Sequence, residues 1–474
     1  MQAATMSALL SCLGHGGMSQ PIIHTVILAA GQGSRMRSEL PKVCHLLAGE
    51  PMLAHVVRTA QAVSSQVTVV VGHGAAQVQA ALGELGASVQ WVHQAEQLGT
   101  GHAVRQALPH ISAEQRVLIL YGDVPLVRAE TLTALLGADP QGLSLLTAEL
   151  ADPTGYGRIE RAADGAVQAI VEHKDATATQ RQIREINTGL MAVPGAALQR
   201  WLPQLNAGNA QQEYYLTDLV QLAVAEQVPV HAITAPSVAE TLGVNTRVEL
   251  AERERTLQQR RAEALMLEGA TVADPSRLTL RGAVSVGPDC ELDVGVVLHN
   301  VVLGANVRIG AYCVLRDVTV GDGSVVEPHS VIEQAELGSH CQVGPFARIR
   351  PHTQLANGAK VGNFVELKNA HLGVGAKVNH LSYVGDAQVG AEANIGAGTI
   401  TCNYDGANKH RTSIGAGAFV GSNSTLVAPL VIEAGAFIGA GSVITKTAPQ
   451  DQLTLSRSRQ TTLAGWQRPK KDAS

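Results

Sequence analysis

Two stretches of this 474-residue chain carry residue types that could bind phosphate and move a proton. In the first, the apolar run VILAA from Val26 opens into GQGSRM, with glycines at 31 and 33 and then Arg35 and Lys42. Such a strand-to-loop pattern lets backbone N–H groups approach a phosphate, and the two cations can offset its charge. Farther on, LYGDVPL sets Asp123 just past a strand end. That is where an α/β sheet presents ligands, and a carboxylate there can hold Mg²⁺. The second stretch is NHLSYVGD, where the imidazole of His380 is a group that can accept a proton. His380 is one of 17 histidines, and taken alone a histidine is more often a surface or hydrogen-bonded residue.

The elements that must position these groups fall into two halves. VTVVVG (67 to 72), VLILYGD (117 to 123) and LSLLTAEL (143 to 150) read as buried strands separated by helix-length segments, which predicts a mostly parallel, doubly wound Rossmann-like α/β domain over residues 21–247. Residues 248–268 are dense in helix formers, with Leu250, Leu257 and Leu265 on roughly one face, and read as a helical linker. Beyond it, over residues 269–474, a six-residue period sets in: Leu337, Val343, Ile349, Leu355, Val361 and Leu367, then Ile414, Val420, Leu426, Ile432, Ile438 and Ile444. Small residues commonly follow the aliphatic one, so each short strand can end in a tight corner and the chain coils as a parallel β-helix. Asn403 and Tyr404 fall where the period slips by one residue, which predicts a loop projecting from the coil. A repeat of this kind specifies a scaffold, and it could serve only to oligomerise the other domain.

The bulk composition narrows the function. At 45% hydrophobic, 16% charged and 3% aromatic the chain is globular but poor in large rings, and its 48 glycines imply a tightly wound backbone. A net charge of −5 gives no general attraction to nucleic acid, so anionic small molecules must be held by local basic groups. The six cysteines, Cys12, Cys44, Cys290, Cys313, Cys341 and Cys402, form no CxxC pair and read as free thiols in a reducing cytoplasm. No apolar run reaches the roughly 18 to 20 residues of a membrane span. Residues 1–20 carry only the short apolar patch Ala8 to Leu10 with no basic segment before it, so they read as an unstructured extension, and Met18 is a second possible start.

LAAGQGSRMRSELPK, from Leu28 to Lys42, resembles the signature of sugar-phosphate nucleotidyltransferases, with Gln32 where that family often has Lys or Arg. QAEQLGTGHA (94 to 103) resembles the uridylyltransferase branch. FARIRP, NFVELKNA, NHLSYVGD and ITCNYDG resemble the acetyltransferase half of the bifunctional N-acetylglucosamine-1-phosphate uridyltransferase/glucosamine-1-phosphate acetyltransferases. The resemblance runs from Val26 to the end of the chain through about ten segments in family order. It implies a left-handed β-helix, usually trimeric, and a cytoplasmic enzyme making UDP-N-acetylglucosamine for peptidoglycan and lipopolysaccharide from glucosamine-1-phosphate, acetyl-CoA and UTP, with Mg²⁺.

By the same resemblance Arg35 and Lys42 are catalytic, and UTP and UDP-N-acetylglucosamine are bound by Leu28, Ala29, Ala30, Gly31, Gly33, Lys42, Gln94, Gly99, Thr100, Tyr121 and Asp123. Gln94, Gly99 and Thr100 would contact the uracil. The segments GYGRI, VEHKDA and EINTG add Gly157, Glu172 and Asn187 for the sugar, and Asn245 joins Asp123 as a metal ligand. Taken singly, Glu172 reads as a surface carboxylate and Asn187 as a loop-capping amide. Arg350, Lys368, Tyr383 and Asn394 would bind glucosamine phosphate, with His380 as general base. Acetyl-CoA is assigned Ala397, Asn403, Tyr404, Ser422, Ala440 and Arg457, although Ala and Ser at repeat corners suit any β-helix. The basic tail with Arg459, Arg468, Lys470 and Lys471 could attract CoA phosphates or merely solubilise. A single-activity sugar nucleotidyltransferase whose β-helix only oligomerises or regulates is the other reading, and His380, Lys368 and Asn403 speak against it. A non-catalytic assembly member would not need Arg35, Lys42 and Asp123.

Overall fold

The computed structural model describes residues 22–469, and these divide between Glu254 and Arg255 into two compact units. The extension 1–20 with Cys12 and Met18, and Lys470 and Lys471 of the tail, lie outside the described residues.

In the N-terminal unit nine strands make one sheet: β1 (Ile23–Ala29), β2 (Gln66–Val71), β3 (Gln90–His93), β4 (Arg116–Tyr121), β5 (Leu143–Glu149), β6 (Arg158–Arg161), β7 (Val167–Val171), β8 (Glu185–Pro194) and β9 (Val230–Thr234). The main path runs β9-β5-β8-β4-β1-β2-β3, with β6 and β7 as an antiparallel arm attached to β8. β1 pairs in parallel with both β2 and β4, as the strand-to-loop pattern requires. The sheet is less parallel than the sequence suggests, because β8 inserts antiparallel between β4 and β5. Its EINTG stretch reads as a binding segment, and that reading hides a ten-residue, almost wholly buried strand.

Successive β1 residues feed opposite layers: Val26 and Leu28 join one apolar cluster, Ile27 and Ala29 the other. A strand buried on both faces reads as a continuous apolar run, which is why VILA shows no alternation. Among the covering helices are α1 (Met52–Val63), α2 (Ala75–Leu82) and α3 (Thr100–Ala107).

The helix Arg247–Leu267 carries the boundary between the units. Of its predicted apolar face, Leu265 is buried and Leu250 and Leu257 are half-buried.

The C-terminal unit is a parallel β-helix with two ladders, one of eleven short strands and one of thirteen, stacked coil on coil in the same direction. Its apolar core is made of aliphatic side chains and cysteines, with buried serines and threonines beside them, so the low aromatic content follows from the bore of the coil. Coil-to-coil neighbours such as Asn363 and His380 are 17 residues apart, one short of three hexads. The missing residue lies where a strand such as Glu366–Leu372 bends through a single left-handed residue, Asn369 at φ 47°. Strict hexads survive where a proline corner, Pro351 or Pro429, breaks the strand and adds one residue. The predicted loop is present between Cys402 and Thr412.

Candidate functional sites

The N-terminal site is a cavity of about 360 Å³ whose wall includes Leu28, Ala29, Ala30, Gly31, Lys42, Gln94, Gly99, Thr100, Tyr121 and Asp123. Most come from the ends of β1 and β4 or from the loop and first turn of α3, so parallel pairing gathers groups nearly 100 residues apart, while Lys42 is brought in by the short turn Lys42–Cys44. Gly33 sits at φ +64°, and a Cβ there would lie 2.6 Å from Cβ of Lys42, so glycine lets the lysine stem pass beneath the loop.

Lys42 Nζ forms an ion pair with Asp123 and donates to Asn245 Oδ1 at 3.1 Å, which also accepts from Arg35 Nη2 at 2.9 Å. Two hard oxygens therefore converge on one ammonium, bringing Arg35, Lys42, Asp123 and Asn245 together. Gln32 is exposed.

Gly157, Glu172 and Asn187 meet on the β6–β7 arm and β8. Asn187 N donates to Gly157 O at 2.9 Å, and a Cβ on Gly157 would lie 3.5 Å from the Glu172 carboxylate. Burial pushes the Glu172 carboxyl up against the opposing hydrogen bond from Thr217, and Asp175, Asp218 and Glu213 add to the rise. Burial, with the carboxylates of Glu172 and Asp123, also holds the Tyr121 phenol protonated well above its ordinary range. That electrostatic link connects this trio to the main cavity. Two further residues belong to the site: Gln97, which donates to Ala30 O at 2.6 Å, and Glu213, which lines the wall. Gln97 lies inside QAEQLGTGHA, whereas Glu213 has no local signal in the sequence.

In the β-helix most of the expected residues separate onto two edges of one face. One edge begins with Asn363 and His380, whose Nδ1 lies 2.8 Å from Asn363 Oδ1. The amide oxygen can only accept, so the ring proton sits on Nδ1 and leaves the Nε2 lone pair as a base. Ala397, Ser422 and Ala440 follow along the same edge, coil by coil, and Arg457 Nη1 closes the row on Ala440 O at 3.1 Å. Arg459 and Arg468 lie in the exposed tail.

The other edge gathers Lys368, Asn369 and Asn403 around Asp386, with Arg350 on Glu366 and Tyr383 over Gly385. Lys368 Nζ is 3.7 Å from Asp386 Oδ2, Asn369 donates to Oδ1 at 2.6 Å, and Asn403 donates to Oδ2. Arg350 Nη1 donates to Glu366 at 2.8 Å. Tyr383 and Asn403 close over Gly385, where no Cβ would fit. Lys409 also belongs here, its ammonium pushed down by that of Lys368. Two cations held this close mark a site for an anion. Lys409 had been invisible because the loop, not the repeat, brings it there. Tyr404 stands 60% exposed on that loop, with its hydroxyl on Gly406 O and its backbone bridged to Lys409. Asn394, in the strand Asn394–Ile395, belongs to the neighbouring face beside Lys377.

Comparison with known proteins agrees with this division. The MobA-like NTP transferase domain family matches residues 25–184, the GMPPB C-terminal domain family residues 280–370, and the bacterial transferase hexapeptide family residues 411–446. The bifunctional protein GlmU of Alkalilimnicola ehrlichii is 57% identical over 94% of this chain and 96% of that protein. Those of Marinobacter nauticus and Chromobacterium violaceum are 54% and 53% identical, over 95% and 94% of this chain and 99% and 98% of theirs. With a nucleotidyltransferase sheet and a hexapeptide β-helix joined in one chain and matched end to end, the chain belongs to the bifunctional GlmU family.

Proposed function

We propose that the cavity at the ends of β1 and β4 performs uridylyl transfer and that the two edges of the β-helix face form an acetyl-transfer site between neighbouring copies of a homotrimer. The chain is a bifunctional transferase of UDP-N-acetylglucosamine synthesis. It acetylates glucosamine-1-phosphate with acetyl-CoA, then transfers UMP from UTP to N-acetylglucosamine-1-phosphate and releases pyrophosphate. The observation that carries the first assignment is the meeting of Arg35, Lys42, Asp123 and Asn245 at the cavity.

In uridylyl transfer a sugar-phosphate oxygen attacks the α-phosphorus and the bond to pyrophosphate breaks. The attacking phosphate is already ionised, so this chain need only align the reactants and neutralise charge with Arg35 and Lys42. Nucleotidyl transfer of this kind takes a divalent cation. We assign Mg²⁺, because two oxygen donors that already converge on an ammonium suit a hard ion that keeps water and phosphate as its other ligands. Bound there, Mg²⁺ would draw negative charge from the triphosphate. Gly157, Glu172 and Asn187 are assigned to the sugar.

For acetyl transfer, Nε2 of His380 takes the proton from the glucosamine amine as nitrogen attacks the thioester carbonyl, and CoA leaves as the thiol. Lys368, Lys409, Arg350 and Tyr383 are assigned to the sugar phosphate, and the row from Ala397 to Arg457 to acetyl-CoA. His380 and this cationic group occupy opposite edges of one face. A heterologous contact that sets one edge of a copy against the opposite edge of the next unites them and closes as a ring. A cytoplasmic setting is supported by the described cysteines, which are all free thiols, and none of the described helices is long and apolar enough to cross a membrane.

The test supplies purified protein with glucosamine-1-phosphate, acetyl-CoA, UTP and Mg²⁺, and follows free CoA and UDP-N-acetylglucosamine. His380→Ala is expected to lower CoA release about 10²- to 10⁴-fold and spare uridylylation of supplied N-acetylglucosamine-1-phosphate, and Asp123→Ala to do the reverse. Loss of both activities in either variant would overturn two independent sites.

A further inference from the structure

Gln94 is 3% exposed, and its amide nitrogen donates to Gly99 O at 3.3 Å while lying 3.0 Å from Nδ1 of His102. A carbonyl oxygen only accepts, so the NH₂ end of this amide must face Gly99 and His102. Both amide hydrogens are then spent on the protein. Nδ1 must be the acceptor nitrogen of the ring, with the ring proton on Nε2. What Gln94 leaves for the cavity it lines is its carbonyl oxygen, Oε1.

His102 is held in this pose from three sides. It lies on the first turn of α3; its ring packs 6.2 Å from that of Tyr214; and Tyr214 is covered by the Arg105 guanidinium at 4.9 Å and bonded through its carbonyl to Gly101 N at 2.8 Å. On the far side the Gln106 amide lies 3.0 Å from Nε2. The Gln106 nitrogen also donates to the backbone oxygen of His102 at 3.2 Å, but Gln106 is half-exposed, so water can replace that bond and the amide can turn to offer its oxygen to Nε2–H. Buried Gln94 has no such freedom.

We infer that His102 is a positioning residue for base selection: by accepting from Gln94 it fixes which end of that amide meets the pyrimidine. An amide oxygen accepts from N3–H of uracil but faces the lone pair of N3 in cytosine; the reversed amide would favour cytosine instead. His102 touches neither substrate nor reacting atoms and acts only through Gln94. The inference rests on the assignment of the uracil to Gln94.

The experiment measures kcat/KM for UTP and CTP in the full-length protein, with denaturant unfolding of each variant as the check of folding. His102→Leu removes the acceptor and is expected to shrink the UTP-to-CTP preference at least about tenfold, mainly through a higher KM for UTP, and His102→Asn, which keeps an acceptor near the Nδ1 position, to restore it. An unchanged ratio in His102→Leu, or equal losses with both nucleotides, overturns the role of His102. Gln94→Ala reports separately on the underlying assignment: if its ratio matches that of the parent, the uracil does not lie on Gln94.

Discussion

Asp386 shows how a single carboxylate holds two lysines and two amides together. Burial alone would raise its pKa, but hydrogen bonds from Asn369 and Asn403 and the charges of Lys368 and Lys409 outweigh that and hold it below the usual carboxylate range. A depressed folded pKa contributes stability that is fully present above the unfolded value of about 4 and is lost as pH falls through the folded value. Asp386→Asn should therefore destabilise the β-helix by roughly 1 to 3 kcal/mol at pH 7, since it strands two lysines without a counter-charge. Urea unfolding at pH 7 and at pH 3 checks this: the gap between parent and variant should narrow at the lower pH. A gap that stays constant would mean the carboxylate is not the source. At this scale the sequence was informative where a motif is contiguous, as for Gly31, Gly33, Arg35 and Lys42. It was silent on Lys409 and Glu213, which reach their sites through loops whose paths no local pattern encodes.

At the scale of elements, the coil is held by one ring of aliphatic side chains per turn. Leu367 is fully buried between Ile349 and Val384 in register. Leu367→Ala should cost roughly 2 to 5 kcal/mol, because a parallel stack cannot close the cavity without shifting whole coils. Denaturant titration followed by the two activities should show acetyl transfer lost first while uridylyl transfer persists. The six-residue period was legible because each face repeats the same inward aliphatic position. The 17-residue coil was not, because replacing a corner by one left-handed Asn or Asp changes the count without changing the pattern of small and aliphatic residues. The inserted strand β8 was hidden for a similar reason: a buried strand and an apolar binding segment look alike, and its direction depends on partners far away in sequence.

For the whole molecule, the β-helix carries an exposed ladder of stacked rings: Tyr312, His329, Phe346 and Phe364, with successive centroids 5.4, 4.8 and 5.3 Å apart. Phe346 and Phe364 are 48% and 56% exposed, an apolar row that a copy of the chain would cover in the proposed trimer. Phe346→Asp should leave the single chain folded, reduce the mass seen by light scattering from three chains to one, and lower acetyl transfer at least about tenfold with uridylyl transfer kept. A variant that remains trimeric removes the ladder from the interface. The two architectures, the phosphate-binding loop and the aliphatic repeat are legible in the chain itself, because each arises from local periodicity and adjacent residues. The placement of Asn245 beside Arg35, Lys42 and Asp123, and of His380 and Lys368 on opposite edges of one face, comes from the folded structure. Those placements depend on strand register and long-range pairing, in which a shift of one residue turns a side chain to the other face.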